Sequence, residues 1–542
     1  MSPIPDPRSP CLIGVGRRTW HPGDVGTDGA PEPLTMWEEV ARQSATDAGT
    51  ASGSRILSSI ESLQVVYCQS WEYDDPAELL AQRLGTHRAQ RQYSGIGGSV
   101  PQTLLSAAAS QILAGDQELT MVVGGEALAT TRRFKKLGGR PQWSHRATER
   151  RPFPFDIPFH PAEVAHSIFE AYVTFAIFDS ARRAHLRRSL DDHRRHLGQL
   201  MAPLTGIAAA DPAHAWFPTQ RDAAEISTVA KDNRMVAFPY TKLMMAIMDV
   251  DMAAAVLLAS HAKADALGVP PERRVYLRGW GYARDPDYVA ERRDLWRSPA
   301  MSVAGRTALA CAGIGMDDVA YLDLYSCFPS SLLFAADALG LHTGDARSRP
   351  RTLTVTGGLP YHGGPGSNYM THSIATMAER LRSDAGAFGL TSGVGMHMTK
   401  HAFGLWSTEP GPLAPPDDSS VTRELAQEMD RVLDLEPDTG SDHGSGRREP
   451  KMSSAKPIIG PGGTVPIKAT ADGAAIVAAY TVLHQRDGTP SWAPAVCDLP
   501  DGSRCYARIE DPGALGAAEE EELIGRTVHL TSEGDGVNRA QL

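Results

Sequence analysis

One order of elements runs twice through this chain, and that repetition limits the fold more than any other feature. The first pass reads MWEEVARQSATDAG over 36–49, then LQVVYCQSWEYDDPAELLAQRLG over 63–85. The second reads MSVAGRTALACAGI over 301–314, then VAYLDLYSCFPSSLLFAADALG over 319–340. Each pass gives an amphipathic helix, an apolar strand of Val, Tyr and Leu, and another helix. The pairing continues downstream. GGSVPQTLLSAAASQILAG (97–115) precedes LTMVVGGEA (119–127), and GGPGSNYMTHSIATMAERL (363–381) precedes FGLTSGVGM (388–396). Pro101 and Pro365 lie in or beside the first turn of the helix that follows each glycine turn. Short apolar strands alternating with helices predict an α/β fold with crossover connections and a buried, mostly parallel sheet. Two such halves predict two sheets, or two half-sheets, related by a pseudo-two-fold.

At 542 residues the chain has room for two or three domains. The repeat divides it into halves at 1–130 and 234–407, separated by an insertion at 131–233. That insertion holds TRRFKKLGGR (131–140), RPFPFDIPFHP (151–161) and a helical stretch rich in Arg and His (182–196). After it, RMVAFPYTKLMMAIMDVDMAAAVLLAS (234–260) reads as a turn and an apolar segment suited to a buried helix or strand. Residues 408–456 are rich in Pro, Ser and Gly and read as a linker around one short helix, 421–435. Within 457–542, strands are punctuated by Asp487-Gly488 and Asp501-Gly502, both hairpin turns, so a small all-β module that folds separately is expected.

Composition narrows the function classes. Lys plus Arg is 53 against 64 Asp plus Glu, a net charge of −11, which argues against sequence-independent nucleic-acid binding. Six scattered cysteines predict no disulfide scaffold. The opening MSPIPDPRSP has no basic or apolar leader region, and no apolar run reaches the roughly 18 residues of a membrane helix. A cytoplasmic, multi-domain protein with no membrane span is expected.

The arrangement resembles the thiolase superfamily, and specifically the thiolase-like proteins of type 1, often labelled acetyl-CoA acetyltransferases. The stretches that carry the resemblance are 234–260, DLYSCFPSS (323–331), GGLPYHGGPGSNYMTH (357–372), MTKHAFGLWS (398–407) and AAYTVLHQRDGTP (478–490). It implies a duplicated βαβαβαββ thiolase fold, a five-layered α-β-α-β-α stack with an inserted loop domain. To this the chain adds a small C-terminal antiparallel β-barrel, OB-like in kind. A coenzyme A thioester as substrate and a place in lipid or steroid metabolism are implied with it.

The family's catalytic elements are missing side chain by side chain. A thiolase keeps its nucleophilic cysteine at a helix start, where the helix N-terminus lowers the thiol pKa. Gly97-Gly98-Ser99-Val100 stands there, with Gly98 in the cysteine's place; Ser99 reads first as a helix cap, with a substitute nucleophile that lacks an identifiable base, or a substrate contact, as the alternatives. The motif that places an oxyanion-binding group reads Tyr325-Ser326-Cys327-Phe328. The Gly-His-Pro motif reads Gly363-Gly364-Pro365, and the Cys-x-Gly loop reads Thr391-Ser392-Gly393-Val394-Gly395. No competent thiolase is expected.

Polar residues remain on the motif loops. Tyr325, His362, His372 and Tyr369 are the candidate acid/base groups, and Ser99, Cys327, Tyr361, Asn368, Lys400 and His401 the candidate substrate contacts. Each has a plain alternative as a satisfied core or loop residue. Related thiolase-fold lyases that cleave steroid side chains by retro-aldol chemistry use tyrosines and an OB-type partner. Arg132, Arg133, Lys135 and Lys136, with Arg140, would suit coenzyme A phosphates, and a flexible surface loop is an equal reading. No permanently bound cofactor and no metal is expected. His193 and His196 read as part of a solvated charged helix rather than a zinc site. Three functions stay open: a non-covalent C–C lyase or aldolase on an acyl-CoA, a non-catalytic acyl-CoA binder or assembly subunit, and the acetyltransferase of the family label. Monomer and homodimer stay open too.

Overall fold

In a computed structural model, residues 5–149, 159–341, 351–417, 421, 423 and 463–542 are described. Most of the linker expected over 408–456, its helix 421–435, and most of the 151–161 aromatic-proline run lie outside them.

The first half runs β1 (Pro10–Thr19), α1 (Pro33–Asp47), β2 (Ser62–Val65), α2 (Pro76–Leu84), β3 (Gln90–Tyr93), α3 (Val100–Ala114) and β4 (Leu119–Ala127). The insertion contributes α4 (Leu128–Lys136), α5 (Ala171–His185) and α6 (Leu190–Ala210) before β5 (Asp251–Ser260) closes the half. The second half repeats the order: β6 (Val275–Arg284), α7 (Pro299–Ala310), β7 (Val319–Asp323), α8 (Pro329–Ala338), α9 (Tyr369–Arg382), β8 (Phe388–Gly395) and β9 (Lys400–Ser407). Local chemistry sets the helix limits. In α2, Asp75 accepts from the Glu78 amide at the N-terminus, Pro76 opens the first turn, and Gly85 ends the helix in a left-handed conformation.

The nine strands form one sheet in the order β3-β2-β4-β5-β1-β6-β9-β8-β7. Its centre is the β1–β6 pair, antiparallel at Cys11↔Tyr276 and Leu12↔Val275. Outward from β1 the steps are antiparallel to β5, antiparallel to β4, and parallel to β2 and β3. Outward from β6 they are antiparallel to β9, antiparallel to β8 and parallel to β7. The same sequence of senses on both sides is the duplication in three dimensions. The sheet is mixed, however, and the expected mostly parallel sheet is corrected. β9 follows β8 through a tight turn and β5 returns after the insertion, so each pairs antiparallel.

Helices α3 and α9 touch strands of both halves and each other, and so form the middle layer. α1 covers the outer face of the first half and α7 that of the second, which gives five layers. A device in the strands lets the outer helices close in. A Cβ on Gly14 or Gly16 of β1 would run into the Ser44 or Val40 carbonyl of α1. In β6, Gly279 and Gly281 meet the Ala308 and Ala304 carbonyls of α7 in the same way.

The C-terminal region is a closed five-stranded barrel of β10 (Gly473–Tyr480), β11 (Pro490–Asp498), β12 (Arg504–Ile509), β13 (Thr527–Ser532) and β14 (Asn538–Gln541), with α10 (Pro512–Glu520) between the third and fourth strands. All its pairings are antiparallel except β12 with β14, an OB-like order. Gly488 and Gly502 take positive φ in the two expected Asp-Gly turns. The barrel is docked on the insertion through buried polar contacts. Tyr506 Oη donates to Glu163 Oε1 at 2.8 Å, the Asn538 amide donates to His166 Nε2 at 2.9 Å, and Arg183 pairs with Glu522 at 2.6 Å.

Candidate functional site

The motif loops converge on Gly98. It immediately precedes the start of α3, and a Cβ there would collide with the Tyr325 hydroxyl and ring and with the Val394 carbonyl. Tyr325 leaves the end of β7 with its amide donating to Ser392 Oγ at 2.9 Å and its carbonyl accepting from Ser331 Oγ at 2.6 Å. The Gly97 amide donates to Ser367 Oγ at 3.0 Å, which ties in the loop before α9. A Cβ on Gly393 would meet Met370 Sδ and the Ser99 backbone, so the fourth loop closes the same space. The space beside Gly98, where the resemblance would put a nucleophile, is filled by the phenol of Tyr325.

That phenol is buried, and burial pushes its pKa well above the usual tyrosine value, with Cys327 adding to the rise. It stays protonated at neutral pH and so keeps a proton to donate. Its hydroxyl has no hydrogen-bond partner among the described residues. Tyr369 packs edge-on against it, with ring centroids 5.7 Å apart.

The histidines stand farther back. His362 is 6.1 Å from Tyr369 and 5.5 Å from His372, centroid to centroid, so Tyr369 stands next to both Tyr325 and His362. Both histidines are fully buried, and no ring nitrogen of either has a hydrogen-bond partner among the described residues. Burial, reinforced by the charge of Arg17, brings His362 down to about 3, and burial with its neighbours His362 and Arg17 holds His372 well below the usual value. Tyr369 spends its hydroxyl on Asp323 Oδ2 at 3.1 Å and Thr356 Oγ1 at 2.6 Å.

The remaining candidates divide. Ser99 occupies the N-cap position of α3 without making a capping bond. Cys327 is buried and its thiol is pushed up to about 12 by burial, which suits a small packing group. Tyr361 is buried with an unpartnered hydroxyl, and Asn368 accepts from Thr371 at 2.7 Å. Lys400 lines a small cleft of about 20 Å³ with Phe159, Glu163 and His397. His401 pairs in register with Val394, but its Nε2 is committed to Asp285 at 2.9 Å and Ser298 at 3.1 Å. Ser298, His401 and Asp285 have the composition of a hydrolytic triad, yet all are buried and Ser298 caps α7.

Arg132 pairs with Asp249, and Arg133 grips the Gly26 and Thr27 carbonyls at 2.9 and 2.7 Å, while Lys135 and Lys136 are exposed. This basic run is a helix, not a loop. His193 is corrected as well: it is buried against Asp179 at 3.1 Å rather than solvated. Among the described residues no group of three His, Cys, Asp or Glu is placed to hold a metal, and no helix is long and apolar enough to cross a membrane. Sequence reasoning missed Ser331 and Met370; only the folded contact reveals them.

Substituting Gly98 by Ala is expected to destabilise the protein by about 1–3 kcal/mol through overpacking. Tyr325→Phe should not rescue it, because the Val394 carbonyl remains in the way. Equal urea midpoints for wild type and Gly98→Ala would refute the close contact.

Comparison with known proteins agrees with this geometry. The family described as "Thiolase-like protein type 1 additional C-terminal domain" matches residues 458–535. A monomeric SCP2-thiolase-like protein type 1 from Mycobacterium smegmatis superposes with a TM-score of 0.78 at 29% identity, covering 99% of this chain and 100% of its own. A structure titled Ltp2-ChsH2(DUF35) aldolase shares the fold at 15% identity with a TM-score of 0.55, over 74% of this chain and 98% of its own. The 3-ketoacyl-CoA thiolase of Pectobacterium atrosepticum is 30% identical over 152 residues, 26% of this chain. The chain spans about a third of the length of the curated relatives it matches, 33% for that one. The chain therefore has the thiolase fold and carries, over residues 458–535, the additional C-terminal domain of thiolase-like proteins of type 1.

Proposed function

We propose that this protein binds an acyl-CoA-type thioester beside Gly98 and Tyr325 without forming a covalent acyl intermediate. The observation that carries this reading is the protonated Tyr325 phenol against Gly98, its hydroxyl without a hydrogen-bond partner among the described residues. Such a donor would meet the thioester carbonyl as an oxyanion-hole group does. Among the described residues no basic group touches it, so binding is better supported than proton transfer.

A second reading, retro-aldol cleavage of a β-hydroxyacyl thioester, has one observation in its favour. Two tyrosine rings, Tyr325 and Tyr369, meet edge to face at the site. In that reaction the β-hydroxyl proton is removed, the Cα–Cβ bond breaks, and the α-carbon takes a proton, leaving a carbonyl compound and a shorter thioester.

Calorimetric titration of the full chain with acetyl-CoA and a β-hydroxyacyl-CoA tests both. Saturable binding is expected, weakened about tenfold in Tyr325→Phe by loss of one hydrogen bond to a polarised carbonyl. The intact mass should not change after incubation. An acyl adduct, or an unaltered affinity in Tyr325→Phe, would overturn the reading. Release of a carbonyl product would favour the second.

A further inference from the structure

Residues 131–140 carry five cations and no carboxylate in a chain whose net charge is −11. They are not a floppy segment. Thr130 anchors α4 to buried Asp251 through its amide at 3.0 Å and hydroxyl at 2.7 Å, and Arg133 locks the helix to the 26–27 turn. The end of α4 is closed by the Gly139 amide donating to the Phe134 carbonyl at 3.0 Å, with Gly138 at φ +76°. This closure leaves Leu137 79% exposed, beside exposed Lys135, Lys136 and Arg140. None of those three cations has an ion-pair partner among the described residues. The helix dipole accounts for lysines in a last turn. It accounts for neither Leu137 nor Arg140.

We propose that the end of α4 and the turn after it form a peripheral docking surface for an anionic phospholipid bilayer. Lys135, Lys136 and Arg140 meet headgroup phosphates while Leu137 enters the acyl boundary. A soluble nucleotide would satisfy the cations but offer Leu137 nothing. An anionic bilayer supplies both layers in the order the surface presents them. The acidic remainder of the chain is screened beyond roughly 8 Å at physiological salt and does not cancel the local attraction. This surface is independent of the thioester reading.

Co-sedimentation of the full chain with vesicles tests it. Partitioning to phosphatidylcholine vesicles containing about one-third phosphatidylglycerol should exceed that to pure phosphatidylcholine at least about tenfold, and fall as salt rises. The triple variant Lys135→Glu, Lys136→Glu, Arg140→Glu should lose this preference with an unchanged thermal midpoint, since these side chains are exposed. Leu137→Ser should weaken binding to the anionic vesicles several-fold. Equal partitioning to both vesicles would overturn the proposal, as would retention by the triple variant. So would unaltered binding in Leu137→Ser, which would point instead to a soluble polyanion or an acidic protein.

Discussion

In a thiolysis assay with acetoacetyl-CoA and coenzyme A, this protein is expected to run at least about four orders of magnitude below a genuine thiolase, the scale of loss when a nucleophilic unit is removed. Gly98, Gly364 and Ser392 stand where the family resemblance expects a nucleophile, an activating histidine and an acid/base thiol. Two of these positions are also built into something else. Ser392 holds the Tyr325 amide, and Tyr325 fills the space above Gly98. For that reason Gly98→Cys is expected not to restore turnover: the new side chain would have to displace a buried tyrosine and a backbone carbonyl. Turnover within about a hundredfold of the control, in wild type or in Gly98→Cys, would contradict the filled site.

The repeat was legible because helix and strand periodicity survive duplication, whereas the five-layered stack came with the family resemblance. Strand sense was not legible. An apolar run such as DMAAAVLLAS over 251–260 reads identically in a parallel or antiparallel neighbourhood, and only the insertion's path decides. The Gly-x-Gly pairs at 14/16 and 279/281 lay in plain view, but their use needs the helix that crosses them. At the site, motif positions foretold that Gly98, Tyr325 and the 391–395 loop would meet. They could not foretell that Tyr369 would stand beside both Tyr325 and His362, because ring placement is set by contacts distant in sequence.

Acid should unfold this protein over an unusually high pH range, and the buried histidines supply the reason. His362, His372 and His397 are all buried and held neutral, at about 3 for His362 and about 4 for His397, where burial acts first and Arg292 adds. Their folded pKa values lie below the unfolded value of about 6.5. The unfolded chain therefore takes up protons first, and stability is intact above that pH and lost as pH falls toward the folded values. By pH 5 His362 and His397 each cost about 2 kcal/mol, and His372 adds to that loss, against a typical total stability of about 5–15 kcal/mol. Glu126, Glu163 and Asp251 act in the opposite direction, because burial raises their carboxyls and the folded state binds those protons first. The histidine contribution is isolated by substitution. His372→Phe keeps an aromatic ring and removes two nitrogens that have no partner among the described residues, so it should be neutral or stabilising at pH 7.5 and lessen the loss on going to pH 5. Urea midpoints for wild type and His372→Phe at the two pH values give the answer. A wild-type midpoint that does not move, or an identical drop in the variant, would mean that these imidazoles find partners or solvent in solution.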